Sequence, residues 1–303
     1  MTIIFYGFLF CFGLIFGSFL NVVSLRYRPG KAVLDLKILS GRSHCPHCKK
    51  KLTLWELFPL ISFFAQGGKC LGCRGKISWQ YPLIEFGSGL IFPATVFFLQ
   101  KFYSFSFLAF TDFNKVFFVY IGFAIIWILI FLILLLLSVI DIKHFLIPDS
   151  LNISLLVLGV FVVLLKIFAA DFTLPFRDSF LKNYQLIFSP FSAVWLNHLL
   201  GFLAGGLFFA LLFYFGKGKA MGFGDVKLAA TLGAILSFPD TALMIMLSFI
   251  FGGAWGVVLL FKKKKTLKDR LPFGPFIALA TLVTVFWGYP ILAGYFKLFN
   301  LYL

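Results

Sequence analysis

Long apolar runs dominate this chain and alternate with shorter polar segments that hold most of the lysine, arginine and cysteine. A helix needs about 20 apolar residues to cross the hydrocarbon core of a bilayer. The runs predict eight membrane helices, of which the sixth is short: 2–24, 81–100, 117–140, 150–168, 194–215, 225–238, 240–261 and 274–298. The pattern therefore predicts an all-α polytopic membrane protein with about eight transmembrane helices.

The composition agrees with a membrane protein, since 61% of the residues are hydrophobic, only 13% are charged, and the mean hydropathy is +1.01. Few soluble folds could bury so much apolar surface. The net charge of +16 would suit nucleic acid, but in a membrane protein lysine and arginine mark cytoplasmic loops. Of the 27 such residues, 21 fall in four segments around the ends of helices 1, 3, 5 and 7: 23–80, 141–149, 216–227 and 262–270. We therefore predict that these segments are cytoplasmic and that no nucleic acid is bound.

Two further features bear on the membrane. The first apolar run lacks a basic n-region and a small-residue cleavage site, so we expect it to be a retained span. The basic run at 262–265 is expected to set topology and to contact lipid headgroups, with substrate binding as the alternative.

Two Cys-x-x-Cys pairs, separated by 21 residues, lie in the first cytoplasmic segment. This spacing is close to that of a zinc ribbon, in which four thiolates complete a tetrahedral shell around one ion. A closed shell has no open position for catalysis, so we expect the zinc to be structural. Disulfides are the alternative, although a reducing cytosol disfavours them. The predicted ligands are Cys45, Cys48, Cys70 and Cys73; the nearby His44 and His47 are expected to be bystanders, with substitution of either as a ligand as the alternative.

Two aspartates stand at the ends of apolar runs. Asp141 follows the run 116–140, and Asp225 lies between two runs in the segment Met221-Gly222-Phe223-Gly224-Asp225. A carboxylate in lipid costs about 2.5–3.5 kcal/mol on insertion scales, so both should face protein or a water-filled cavity. Gly222 and Gly224 would free the backbone for close approach to another segment. We expect the two carboxylates to meet within the helix bundle.

Such a pair suits peptide hydrolysis, because two close carboxylates share one proton. One carboxyl then polarises the scissile carbonyl while its partner deprotonates water. A proton or cation pathway is equally consistent with the residues alone, and two independent polar residues that line packing gaps are the weaker third alternative. Lys227 and His144 lie near the aspartates and could bias the shared proton. Asp149 directly precedes the fourth apolar run and is predicted to cap that helix.

Several stretches together resemble the bacterial type IV prepilin peptidases, which are membrane-embedded aspartic proteases of the GxGD kind. They occur in the family's order and touch every region except the outer loops at 100–115 and 169–193: 17–23, the cysteine loop through Glu85, 141–149, 222–228 and 271–275. The resemblance implies that Asp141 and Asp225 are the catalytic pair, with Asp149 secondary and with Gly222, Gly224 and Lys227 as supporting residues. Two departures are Arg26-Tyr27-Arg28-Pro29, in place of an Arg-x-Pro arrangement, and a long outer loop around 169–193.

The resemblance also implies an activity and a place in the cell. It implies cleavage of the leader of type IV prepilins or pseudopilins, for type IV pili or type II secretion, at the cytoplasmic face of the inner membrane. It further implies N-methylation of the new N-terminus with S-adenosylmethionine, for which no glycine-rich binding loop is present. A transporter that uses the aspartates as a proton relay is the alternative. The expected divisions are a first helix at 1–24, a zinc-binding and methylation-associated region at 25–80, and a peptidase domain at 81–303.

Overall fold

The protein is described by a computed structural model that covers residues 2–33, 40–102, 113–169, 179–184, 193–218, 221–263 and 270–300. It divides into two compact units, Met1–Phe97 and Phe98–Leu303. The described residues form nine α-helices, two 3₁₀ turns and no strand beyond isolated bridges. The helices are α1 Thr2–Arg26, α2 Ile61–Ala65, α3 Gln80–Phe102, α4 Phe113–His144, α5 Asp149–Ala169, α6 Val194–Phe215, α7 Phe223–Leu236, α8 Phe238–Phe261 and α9 Gly274–Leu298.

The predicted fold class is confirmed, and the structure refines the number of spans. Seven helices of the described residues, all except α2 and α7, are long and apolar enough to cross a membrane. Helix α7 has 14 residues, which at 1.5 Å per residue gives about 21 Å. That is shorter than the hydrocarbon core of about 30 Å. The protein is therefore a multi-pass membrane protein in which α7 is a short helix.

In the first unit, α1 packs closely against the first half of α3. A Cβ added to Gly17 would lie 2.6 Å from the Cα of Glu85, so only glycine fits this crossing. The Ser88 hydroxyl donates a hydrogen bond of 2.7 Å to the Gly13 carbonyl. The Asn21 side chain donates one of 3.1 Å to the Tyr81 carbonyl, which gives this buried amide a partner on the neighbouring helix.

In the second unit, α7 lies at the centre, in contact with α5, α6, α8 and α9. Its closest neighbour is α6, because facing glycines let the two backbones touch. A Cβ at Gly201 would overlap the Gly233 carbonyl, and a Cβ at Gly233 would overlap the Gly201 carbonyl. Small residues are common at such crossings in membrane proteins, because they let the backbones of two helices approach closely. This crossing holds α7, and with it Asp225, in place.

We expect Gly233→Ala to destabilise the second unit by about 1–3 kcal/mol, as overpacking of a filled core does. The methyl group would push α6 and α7 apart, and thermal melting in detergent measures the loss. Gly253→Ala on α8 is the control, since no atom lies within 4 Å of its added Cβ. Equal melting temperatures for the two variants would contradict the close crossing.

The outer loop predicted around 169–193 contributes to a buried polar cluster. Asp240, near the start of α8, is fully buried. It accepts hydrogen bonds from the Ser179 hydroxyl at 2.7 Å, the Phe180 N–H at 3.2 Å and the Ser237 hydroxyl at 3.3 Å. A buried carboxylate is tolerated only when it is paired in this way. The cluster ties the described part of the loop to the break between α7 and α8.

Candidate functional site

Asp141 lies in the last turn of α4, because this helix continues to His144 and does not end at residue 140 as predicted. Its side chain is only 4% exposed. The N–H of Gly274, the first residue of α9, donates a hydrogen bond of 2.9 Å to Oδ2 of Asp141. The start of a helix favours a negative charge, which offsets the unfavourable position of Asp141 near the end of its own helix. A Cβ at Gly274 would lie 2.7 Å from Oδ2, so this approach needs glycine.

Asp225 lies in the first turn of α7 and is 7% exposed. The N–H of Gly222, which precedes the helix, donates a hydrogen bond of 3.1 Å to Oδ2 of Asp225. Gly224 packs against the turn before α5, where an added Cβ would lie 3.1 Å from the Cβ of Ile147. The expected close approach therefore holds for Gly224, whereas Gly222 has room for a side chain and serves through its N–H.

Both carboxylates line one cavity of about 350 Å³. They lie within electrostatic range of each other, although 84 positions separate them in the chain. Lys227 and Arg270 also line the cavity and place positive charge beside the aspartates. The two aspartates that the sequence predicts to meet thus line the same cavity of the second unit.

Asp149 and Lys227 form an ion pair of 2.8 Å at the exposed side of this cavity. The prediction that Asp149 caps the fourth helix is wrong. Helix α5 begins at Asp149 itself, and the carbonyl of Pro148 accepts the N–H groups of residues 151 and 152. Because the Pro148 carbonyl accepts these N–H groups, the Asp149 carboxylate is available for its ion pair with Lys227. His144 does not line the cavity.

The two aspartates share one mode of attachment, which the sequence did not reveal. Each is held through Oδ2 by an N–H at the start of a helix. In the described part of the chain, no other group is hydrogen-bonded to either carboxylate. The second oxygen of each can therefore act on a peptide or a water molecule in the cavity. The sequence places Gly274 only within the stretch 271–275. Its hydrogen bond to Asp141 depends on the position at which α9 begins.

In the first unit, the four predicted cysteines come together. All four sulfurs lie within 4.8 Å of one another, with Cys45–Cys73 and Cys48–Cys70 at 3.9 and 4.0 Å. A tetrahedral ion with bonds of about 2.3 Å to sulfur would hold the sulfurs about 3.8 Å apart. The separations fit a metal ion and are far from the bonding distance of a disulfide, about 2.05 Å. His44 and His47 are not members of this cluster.

The two cysteine pairs have the same backbone arrangement. The N–H of Cys45 bonds the carbonyl of residue 50, and the N–H of Cys70 bonds that of residue 75. The residue after each pair, Lys49 or Arg74, has a positive φ near 60°. The N–H groups of Cys73 and Gly72 lower the pKa of the Cys70 thiol to about 7, whereas burial and the neighbouring thiols raise the pKa of Cys73 to about 11.

A second cavity, of about 520 Å³, lies beside this cluster in the first unit. Both acidic residues in the unit's described part, Glu56 and Glu85, line it. The pKa of Glu56 lies below its usual range, chiefly because of the hydrogen bond from the Thr53 N–H and secondly because of the one from the Lys50 ammonium. These two bonds occupy both oxygens of Glu56. Glu85 is 7% exposed, accepts the N–H of Leu60 through Oε2 and also interacts with the Ser18 side chain. A carboxylate can accept about four hydrogen bonds, so Glu85 keeps capacity for a ligand.

The sequence matches two families of known proteins. Residues 11–99 match the bacterial peptidase A24 N-terminal domain, and residues 128–257 match the type IV leader peptidase family. Two proteins named prepilin leader peptidase/N-methyltransferase are 31% identical to it. That of Stutzerimonas stutzeri aligns over 94% of this chain and 91% of its own length, and that of Bacillus subtilis over 96% and 97%. A third protein of this name, from Legionella pneumophila, is 29% identical over 94% of this chain and 92% of its own. No solved structure matches the chain.

Proposed function

Because the chain belongs to the type IV leader peptidase family, we propose that it removes the leader from type IV prepilins or pseudopilins and methylates the new N-terminus. The observation that carries the peptidase proposal is the pair of buried carboxylates, Asp141 and Asp225, on one cavity. Neither family match supports a transporter that uses these residues as a proton relay.

The proposed reaction needs only the two aspartates and water. Two close carboxylates cannot both ionise cheaply, so the pair keeps one proton, which belongs to the pair and not to either residue. The protonated carboxyl polarises the scissile carbonyl, and the ionised one takes a proton from the attacking water. The Gly222 N–H holds Oδ2 of Asp225, and the Gly274 N–H holds Oδ2 of Asp141. The carboxylates are thereby oriented before the substrate arrives.

The direct test is cleavage of a prepilin by the purified protein in detergent micelles. No ion gradient can exist there, so a proton-coupled transporter would do nothing to the prepilin. We expect a leader peptide and a shortened pilin, identified by mass spectrometry. An intact substrate beside a protein that melts cooperatively would exclude the peptidase function.

We place the active site at the cytoplasmic face of the inner membrane. The basis is the bias of lysine and arginine toward one set of segments. Lys227, which lines the catalytic cavity, belongs to that set. We assign peptide cleavage to 81–303, and methylation to a region that includes 25–80.

We propose that the ion of the cysteine cluster is zinc. Four thiolates in tetrahedral array form a typical structural zinc site. With four protein ligands, the ion has no position left for a substrate. Zinc would therefore stabilise the loop that carries Cys45, Cys48, Cys70 and Cys73, and would take no part in either reaction.

We propose that the cavity of about 520 Å³ beside the cysteine cluster holds S-adenosylmethionine. This molecule carries an adenine ring, an ammonium group and a cationic sulfonium. The buried carboxylate of Glu85 and the ring of Tyr81 line the cavity and suit such a cation. When bound, the molecule would supply the methyl group.

Glu85→Gln is expected to weaken S-adenosylmethionine binding about tenfold, since a charge-assisted contact contributes roughly 1.5–3 kcal/mol. Glutamine keeps an oxygen for the Leu60 N–H, so the fold and prepilin cleavage should survive. Equilibrium dialysis with labelled S-adenosylmethionine measures the affinity without relying on turnover. Asp149→Asn, which removes a carboxylate of the second unit, is the control. Unchanged binding by the Glu85 variant would exclude this cavity.

A further inference from the structure

An apolar groove of about 640 Å³ lies between α5, α6 and α7 in the second unit. It is distinct from the catalytic cavity but continuous with it, because Asp149, Phe223 and Lys227 line both. Beyond these residues the groove walls are nearly all apolar: Ile153, Leu156, Leu203, Leu207 and Val226 among them. The groove thus extends along the membrane-spanning helices from the point where the aspartates stand.

Apart from Asp149 and Lys227, the polar residues in the lining are Asn152 and Thr231, and of these only Asn152 has buried side-chain atoms without a hydrogen-bond partner among the described residues. Asn152 is only 5% exposed, and neither its Nδ2 nor its Oδ1 has a hydrogen-bond partner among the described residues. An unsatisfied buried amide costs roughly 1–3 kcal/mol, and native proteins avoid such groups. Asn152 lines the groove one helical turn after Asp149. An acyl chain of a lipid could fill the groove, but it could neither donate a hydrogen bond to this amide nor accept one from it.

The amide instead matches a peptide group, which also offers one donor and one acceptor. Within a helix these groups bond to each other, but the first N–H groups of any helix have no internal partner. A chain that is cleaved in the cavity must be extended there, so its backbone groups near the cavity mouth are also unpaired. Asn152 lies where such a segment would pass from an apolar helix into the catalytic cavity.

We propose that the prepilin presents an apolar helix after its cleavage site and that this groove binds it, with Asn152 hydrogen-bonded to the substrate main chain. The proposal rests on the peptidase function proposed above. It assigns substrate binding to helices α5, α6 and α7, and it makes Asn152 a binding residue with no part in the chemical step.

The first test separates binding from catalysis. In Asn152→Leu, an apolar side chain of similar size removes the unsatisfied amide, so the melting temperature should rise. The KM for prepilin in detergent should increase about tenfold, the value of one lost hydrogen bond, while kcat stays within about twofold. Asn197→Leu is the matched control, because Asn197 is equally buried in α6 but lies outside the groove. It should lower stability with no selective effect on KM. An unchanged KM in Asn152→Leu would overturn the proposal.

The second test identifies the occupant of the groove. A photoreactive phenylalanine derivative is placed at Leu203 or Leu207 in the groove, or at Ile250, which is exposed on α8 outside it. The protein also carries Asp141→Asn, so that prepilin in the same lipid vesicles stays intact. Crosslinks to prepilin from positions 203 and 207, but not from 250, are expected. Crosslinks from all three positions to lipid alone would overturn the proposal.

The two proposals fail in different ways. If the wild-type protein cleaves prepilin while the groove positions crosslink only to lipid, the groove assignment is wrong and the peptidase function stands. If prepilin crosslinks at positions 203 and 207 but the wild-type protein leaves it intact, the groove assignment stands and the peptidase function is wrong.

Discussion

Asp141→Asn and Asp225→Asn are each expected to reduce prepilin cleavage by about 10²- to 10⁴-fold, the usual contribution of acid–base catalysis. With one carboxylate left, the cavity cannot provide both the base that activates water and the proton that polarises the carbonyl. Asparagine is nearly isosteric and still accepts the N–H of Gly222 or Gly274. The helices should therefore insert and pack as before, and removing a buried charge should not lower stability.

The measurement is an initial cleavage rate for each variant at matched expression, with folding checked by thermal melting. Asp149→Asn is the control, because it removes a carboxylate that lines the same cavity but is exposed and paired with Lys227. Exposed ion pairs contribute about 0–1 kcal/mol, so this variant should lose less than about tenfold in rate. A well-folded Asp141→Asn or Asp225→Asn protein that cleaves at the wild-type rate would rule out the aspartic mechanism.

Loss of the metal from the cysteine cluster is expected to unfold the loop between α1 and α3. Structural zinc contributes apparent binding free energies of about 10–16 kcal/mol in small zinc domains, which is more than such a loop can gain from packing. Chelation, or the substitution Cys70→Ser, should therefore disorder the loop first. Because the proposed S-adenosylmethionine cavity is partly lined by Cys45 and Cys70, methyl-donor binding should be lost with it. Cleavage should decline less.

Metal analysis should find one zinc ion per chain, and hydrogen exchange of residues 43–78 should report the loss of the loop. Cys11→Ser is the matched control, since Cys11 is an exposed cysteine of α1 outside the cluster. It should retain the zinc and both activities. A disulfide between any two of the four clustered cysteines would contradict the zinc assignment. Loss of cleavage with a folded loop and intact methylation would show that the loop serves the peptidase instead.

The cysteine cluster illustrates how the local sequence can define a site. Each Cys-x-x-Cys pair closes a tight turn over a few residues, so spacing alone was enough to predict that four sulfurs would meet. The membrane helices were predictable for a similar reason, because the length of an apolar run decides whether a segment can cross a bilayer. The sequence thus determined the fold class, the four cysteines that come together and the two aspartates that line one cavity.

The arrangement around those aspartates was decided by tertiary structure. A pairing across 84 positions depends on how helices cross, and the crossing of α6 and α7 depends on backbone contact at Gly201 and Gly233, which no local pattern encodes. The same holds for the N–H of Gly274, which reaches Asp141 only because α9 starts beside the end of α4. The cap predicted for Asp149 failed because the helix begins at Asp149 itself, the Pro148 carbonyl accepts the N–H groups of residues 151 and 152, and the carboxylate pairs with Lys227.

What the sequence alone determined is therefore the chemistry that is available: buried carboxylates, paired thiols and apolar spans, each readable from residues close together in the chain. What only the tertiary structure decided is which groups act on one another. The unpaired amide of Asn152 makes the difference plain, because an asparagine in the first turn of a helix is unremarkable in sequence. It becomes significant only where packing of α5 against α6 and α7 removes it from water without providing a partner. Burial and hydrogen bonding are properties of the packed helices, and no single segment carries them.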